Sequence, residues 1–143
     1  MNMDRCAKVQ KEDNSHMQSA LYYAGRSTMR QKHGALIMFN GHSIGEGWNS
    51  QRQGSDFFGF DKWSLHAEAM AIIRAMHDLR MAKKRNLGGS VLYSARCKKS
   101  DDDGNMFAFS RPCPSCMRLI SAVNIERIVY ADGYGRHLSE FVE

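Results

Sequence analysis

The stretch Ser110-Arg111-Pro112-Cys113-Pro114-Ser115-Cys116 holds the densest chemistry in the chain. Two cysteines at this spacing fall on one helical face, a turn apart. Pro114 suits the first turn of the helix they would open, where a missing N–H costs little. Thiols at a helix N-terminus ionise more easily, because the exposed N–H groups and the helix dipole favour the thiolate. Thiolate is the form that binds a metal or attacks a disulfide, so the pair alone is open to three readings: a redox couple, half of a structural zinc site, or neither. A redox couple would want the pair at the end of a strand in a thioredoxin-like arrangement. A structural zinc would want a further Cys or His, and Cys97 is near enough in sequence to serve. Upstream, His66-Ala67-Glu68 stands at the head of an apolar-periodic stretch. The redox reading has no use for it.

Together, His66-Ala67-Glu68 and Pro112-Cys113-Pro114-Ser115-Cys116 resemble the His-x-Glu … Pro-Cys-x-x-Cys signature of zinc-dependent nucleobase deaminases. On those residues the chain is identified as a member of the cytidine deaminase superfamily. The resemblance implies His66, Cys113 and Cys116 as ligands of Zn²⁺, with the fourth tetrahedral position left open, as in a catalytic zinc site. Water in such a position loses its proton near neutral pH. Glu68 is then implied as the general acid and base, moving protons between water, the ring nitrogen and the leaving amine.

Ile44–Asn49 also resembles the matching strand of bacterial tRNA adenosine deaminases, and its Gly47-Trp48-Asn49 ending resembles deoxycytidylate deaminases. That likeness implies a hydrogen bond from Asn49 to the ribose, against the plainer reading of a turn-forming Asn after a strand. It also implies that the Ala67 backbone orients the base, and it brings Pro112 to the pocket. The likeness runs from Glu12 to Ala131.

Several elements must position these groups. Asp13-Asn14-Ser15 offers N-caps to a helix carrying Met17, Ala20, Leu21 and Ala24 on one face and stopping at Gly25. A basic connection, Arg26 to Lys32, leads to the apolar run Gly34–Phe39. Asn40-Gly41 joins it to His42–Trp48, the strongest short hairpin signal. The segment 51–63 carries Phe57, Phe58, Phe60 and Trp63. Phe60 and Trp63 are candidates for a pocket wall or a stacking platform for a single-stranded substrate, against a loop anchored by its own aromatics or buried on another subunit. Ser64 can cap the His66 helix, whose stripe is Ala69, Ile72, Ile73, Met76 and Leu79, while Arg74, Asp78 and Arg80 fall elsewhere. Lys83-Lys84-Arg85 would close that helix, where cations suit its dipole.

Val91–Cys97 reads as a central strand, and Met106–Phe109 as a returning strand after the polar turn 98–104. This hairpin departs from the tRNA adenosine deaminases, in which the strand runs straight into the Pro-Cys motif. Ile125–Ala131 reads as another strand. After the turn at Asp132–Gly135, too little chain remains for the further helix of many relatives. A short antiparallel edge strand over 137–142 fits, as in the cytidine deaminase branch. The expected fold is α/β, a three-layer α/β/α sandwich with a mixed sheet of about five strands.

The chain has 143 residues, which suits one domain over 1–143, with 1–12 as a loose lead-in. Apolar content of 43% with 24% charge is ordinary for a globular protein. No apolar run reaches membrane-spanning length and the N-terminus lacks a secretory apolar region, so no membrane partner is expected. Cys6 and Cys97 read as free thiols, consistent with a cytoplasmic location. A net charge of +5 suits an anionic partner, nucleotide or nucleic acid, without demanding one.

The expected function is hydrolytic deamination of cytosine in a nucleoside or nucleotide. A polynucleotide deaminase acting on cytosine or adenine in single-stranded DNA or RNA, tRNA included, is the competing enzyme. A zinc-stabilised nucleotide-binding module without turnover is the alternative of another class, and an intact Glu68 argues against it. The resemblance further implies a homo-oligomer, a dimer or tetramer.

Overall fold

The computed structural model describes residues 6–51, 65–78, 86–98 and 106–142. Its elements are β1 (Cys6–Ala7), α1 (Asp13–Ala24), β2 (His33–Phe39), β3 (His42–Trp48), α2 (Ala67–Met76), β4 (Val91–Cys97), β5 (Phe107–Ala108), α3 (Pro114–Ala122), β6 (Arg127–Ala131) and β7 (His137–Phe141).

Asn40 and Gly41 both adopt positive φ, 49° and 79°, and close the tight hairpin between β2 and β3. β4 lies antiparallel to β2 and parallel to β6, and β7 returns antiparallel along β6. The order is β1-β7-β6-β4-β2-β3, with β5 pairing onto β4. The sheet is mixed, as expected, but among the described residues it has seven strands rather than about five. β1, two residues long, is the unexpected piece, while β5 is the return expected over Met106–Phe109, shortened to two residues and antiparallel to β4. Because β1 pairs with β7, the last strand is not the expected edge, and part of the supposed lead-in belongs to the sheet.

Alternation along the strands sends side chains to two layers. Leu36, Tyr93 and Val129 meet Met17 and Ala20 of α1 on one face. Ala35, Ile37, Leu92 and Ile128 meet α2 and α3 on the other. Three layers result.

α1 begins where the sequence suggests, yet Asp13 does not cap it. The N-cap is Glu12, with no side-chain cap bond. Asp13 turns into the core instead and is fully buried. It accepts from Arg127 Nη1 (2.8 Å) and Nη2 (3.1 Å), from the Tyr93 hydroxyl (2.6 Å) and from the Gln10 N–H (2.8 Å). Burial alone would push its carboxyl up, but these donors and the Arg127 charge outweigh it and hold it below the ordinary 3.8.

α2 also differs in detail. The face it buries is Ala67, Glu68, Ala69, Ala71, Ile72 and Ala75, so Ile73 and Met76 of the expected stripe are only half-buried. The cause is the closeness of β3. A Cβ on Gly45 would stand 2.3 Å from the Ala71 carbonyl oxygen, and one on Gly47 would stand 2.2 Å from that of Ala67. Only alanine-sized side chains fit such a spacing. At the outer edge, Arg74 Nη1 donates to the Glu46 carbonyl (3.4 Å), the Trp48 N–H reaches Met70 Sδ (3.5 Å), and the Arg74 guanidinium lies over the Trp48 ring. The expected cap Ser64, the stripe residue Leu79, Arg80 and the run Lys83–Arg85 lie outside the described residues, as does most of the 98–104 turn.

Gly47→Ala follows as a prediction. The added methyl meets backbone, so the start of α2 must lift by about an ångström, at a cost of about 1–3 kcal/mol. Since α2 carries His66 and Glu68, activity should fall about 10²-fold. Activity assays beside urea titration check both.

Candidate metal centre and its cavity

Two helix N-termini converge on the site. His66 is the N-cap of α2 and Cys113 the N-cap of α3, both with extended backbone, and Pro114 opens α3. Cys116 follows in the first turn of α3 and is buried. His66 Nδ1 lies 3.3 Å from Cys116 Sγ and 3.7 Å from Cys113 Sγ. Two sulfurs and a nitrogen at zinc-ligand distances around a tetrahedral ion are about 3.5–3.8 Å apart. One of the two His66 distances lies in that range and the other just below it, and all three donors lie within 4.8 Å of one another, a set that suits Zn²⁺. Among the described residues they form the group able to hold a metal ion, and Cys97 is not part of it. The structural-site option with Cys97 as fourth ligand is thereby removed. The four cysteines are unpaired.

Glu68 lies two residues into α2 and is 4% exposed. Burial above all, then the neighbouring Glu68 charge and Cys113, pushes the Cys116 thiol up strongly. A cation beside these groups reverses that balance, because a coordinating thiol is deprotonated outright.

The loop that delivers the cysteines is fastened from below. The Ser110 hydroxyl donates to the Ser94 carbonyl (2.7 Å) and accepts from the Ala131 N–H (2.9 Å). Arg111 grips Glu140 of β7 with two bonds, at 2.8 and 3.1 Å. Glu140 is in turn bonded by the Tyr130 hydroxyl. Burial, reinforced by Glu140, raises that phenol to about 12. Ser110→Ala would leave two buried backbone groups without partners, at about 1–3 kcal/mol for a buried unsatisfied group. The expected result is faster loss of zinc to a chelator and a lower urea midpoint.

A cavity of about 490 Å³ opens at the site, with His66, Ala67, Asn49, His33 and Arg30 in its wall. Asn49 and Ala67 both line this cavity. The Asn49 amide also braces the wall: its Oδ1 accepts from the His33 N–H (2.9 Å) and its Nδ2 donates to the Gln31 carbonyl (2.7 Å). Pro112 is buried in the turn that enters α3. Phe57, Phe58, Phe60 and Trp63 lie outside the described residues. Sequence reasoning passed over His33 and Arg30. Burial first, then the Arg96 and His66 charges, lowers the His33 imidazole, with Glu68 acting in the opposite sense. The signal available was a titratable side chain directly before the apolar run at Gly34.

The profile of the cytidine and deoxycytidylate deaminase zinc-binding region matches residues 10–132. Among solved structures, the dCMP deaminase of cyanophage S-TIM5 is 24% identical over 84% of this chain and 82% of its own, with a TM-score of 0.56. Cytidine deaminase from Burkholderia pseudomallei is 13% identical over 94% of each chain, with a TM-score of 0.65. Guanine deaminase from Bacillus subtilis is 21% identical over 84% of this chain and 62% of its own, at 0.52. At such identities the likeness is one of fold. No curated protein matches the sequence. With that profile spanning most of its length and the three donors in place, the chain belongs to the cytidine and deoxycytidylate deaminase family, within the cytidine deaminase superfamily.

Proposed function

We propose that the protein is a hydrolytic deaminase of cytosine carried by a nucleoside or nucleotide. The observation that carries this reading is the convergence of His66, Cys113 and Cys116, with buried Glu68 beside Cys116, on a cavity of about 490 Å³. That volume suits a single small ligand. Arg30 in its wall offers charge to a phosphate, which favours a nucleotide.

The metal, when bound, supplies a Lewis acid that makes water nucleophilic at neutral pH. Glu68 takes a proton from the attacking water and passes it to the ring nitrogen. Water's oxygen bonds to the carbon bearing the amine. Glu68 then helps deliver a proton to the leaving nitrogen, the C–N bond breaks, ammonia departs and a ring carbonyl remains. The Ala67 backbone orients the base, and Asn49 holds the sugar side of the pocket, directly or through the wall it braces. Phe60, Trp63 and Pro112 complete the surroundings. The chain acts as one domain, inside the cell, as a homo-oligomer. Among the described residues no helix is long and apolar enough to cross a membrane.

Ammonia release from cytidine, deoxycytidine, their monophosphates, guanine, adenosine, and single-stranded DNA and RNA tests the reading. Turnover of a free cytosine nucleoside or nucleotide supports it. Turnover on polymers alone would replace it with a polynucleotide deaminase and make Phe57, Phe58, Phe60 and Trp63 the next residues to change.

A further inference from the structure

His33 is held as firmly as any residue of the site, yet its ring is unused. Its N–H is bound by Asn49 Oδ1 (2.9 Å) and its carbonyl by the Asn49 N–H (3.3 Å). On its other side it pairs with Arg96 of β4. The backbone is therefore fixed from both flanks, and the half-buried imidazole stands in the cavity wall with His66 and Ala67. The cavity wall it shares with His66 and Ala67 is the reacting end. Among the described residues, no hydrogen bond reaches the ring. It does not belong to the metal-binding group either. A core histidine would have its ring nitrogens satisfied, because buried polar groups almost always find partners. An imidazole in either protonation state carries at least one N–H donor.

Resting on the deaminase reading, the chemistry of the base says what that donor meets. Glu68 must reach the ring nitrogen adjoining the amine-bearing carbon. On cytosine the next ring atom carries a carbonyl oxygen, and on adenine it carries only hydrogen. We propose that His33 is a specificity-determining residue whose ring N–H donates to that carbonyl, selecting cytosine over adenine. Adenine in the same pose would leave the donor desolvated and unpaired, and a site built for a hydrogen bond discriminates strongly against a ligand lacking the partner.

The test compares zinc-loaded wild type, His33→Val and His33→Gln. The measurements are zinc content, kcat and KM for cytidine, deoxycytidine monophosphate and adenosine, and the Kd of two amine-free ribosides, pyrimidin-2-one and purine. His33→Val should keep its zinc, raise KM for cytosine substrates about tenfold, as expected for one hydrogen bond, and weaken pyrimidin-2-one riboside alike. Purine riboside should be unaffected, and His33→Gln, which retains an N–H donor, should recover part of the loss. Unchanged KM and Kd in His33→Val, equal losses for both ribosides, loss of zinc, or a wild type active only on adenosine would each overturn the assignment. A wild type that binds pyrimidin-2-one riboside through His33 without turning over any substrate would instead end the deaminase reading alone. Neither binding nor turnover would end both.

Discussion

Glu68→Gln is expected to keep a full equivalent of zinc and to lose about 10²–10⁴-fold in deamination, the range for removing a positioned proton carrier. Glutamine matches the volume of the buried side chain, and the metal-binding group is complete without it. The amide keeps hydrogen-bonding ability but cannot take a proton from water. Metal analysis and ammonia release on one preparation separate the two effects. An inactive variant that had also lost its zinc would make Glu68 a structural residue.

The largest expected effect on stability lies on the opposite face of the sheet. Asp13→Asn should destabilise the fold by about 3–5 kcal/mol, since it leaves the buried Arg127 guanidinium without its countercharge. Arg127 is 5% exposed and Asp13 fully buried, so water cannot take over. The Ser139 hydroxyl, 2.9 Å from Arg127 Nη1, is neutral and replaces none of the charge. Urea titration reads the loss, and the double variant Asp13→Asn/Arg127→Met should recover part of it. The pH dependence follows from the lowered Asp13 carboxyl. Its contribution is complete above the ordinary value of 3.8 and disappears as pH falls through the lower folded value. Wild type should therefore lose stability more steeply than Asp13→Asn below that point.

Chemistry with a fixed local spacing was legible in the sequence. Cys113 and Cys116 had to share a helix face, Asn40-Gly41 had to turn, and the resemblance joined His66 to the pair. The two-residue β1 was not legible, because so short a strand carries no periodicity, whereas the return over 106–109 was read and pairs with β4 as β5. The buried face of α2 was not legible either. A stripe drawn through the largest apolar residues misses a helix that meets Gly45 and Gly47 with alanines. Asp13 and Arg127 lie far apart in sequence, and each has an ordinary local setting, at a helix start and within the strand read over Ile125–Ala131. Only the topology brings them together. His33 fell between a basic connection and an apolar run, and nothing local marks a ring that faces a cavity.

The outer rim of β3 bears on whether the sheet can be extended at that end. An unpaired strand edge invites another strand to extend the sheet. Here α2 reaches over that rim, with Arg74 on the Glu46 carbonyl and Met70 on the Trp48 N–H. A second molecule adding to β3 would first have to strip both away and lift Arg74 from the Trp48 ring. Extension of the sheet through this edge is therefore obstructed.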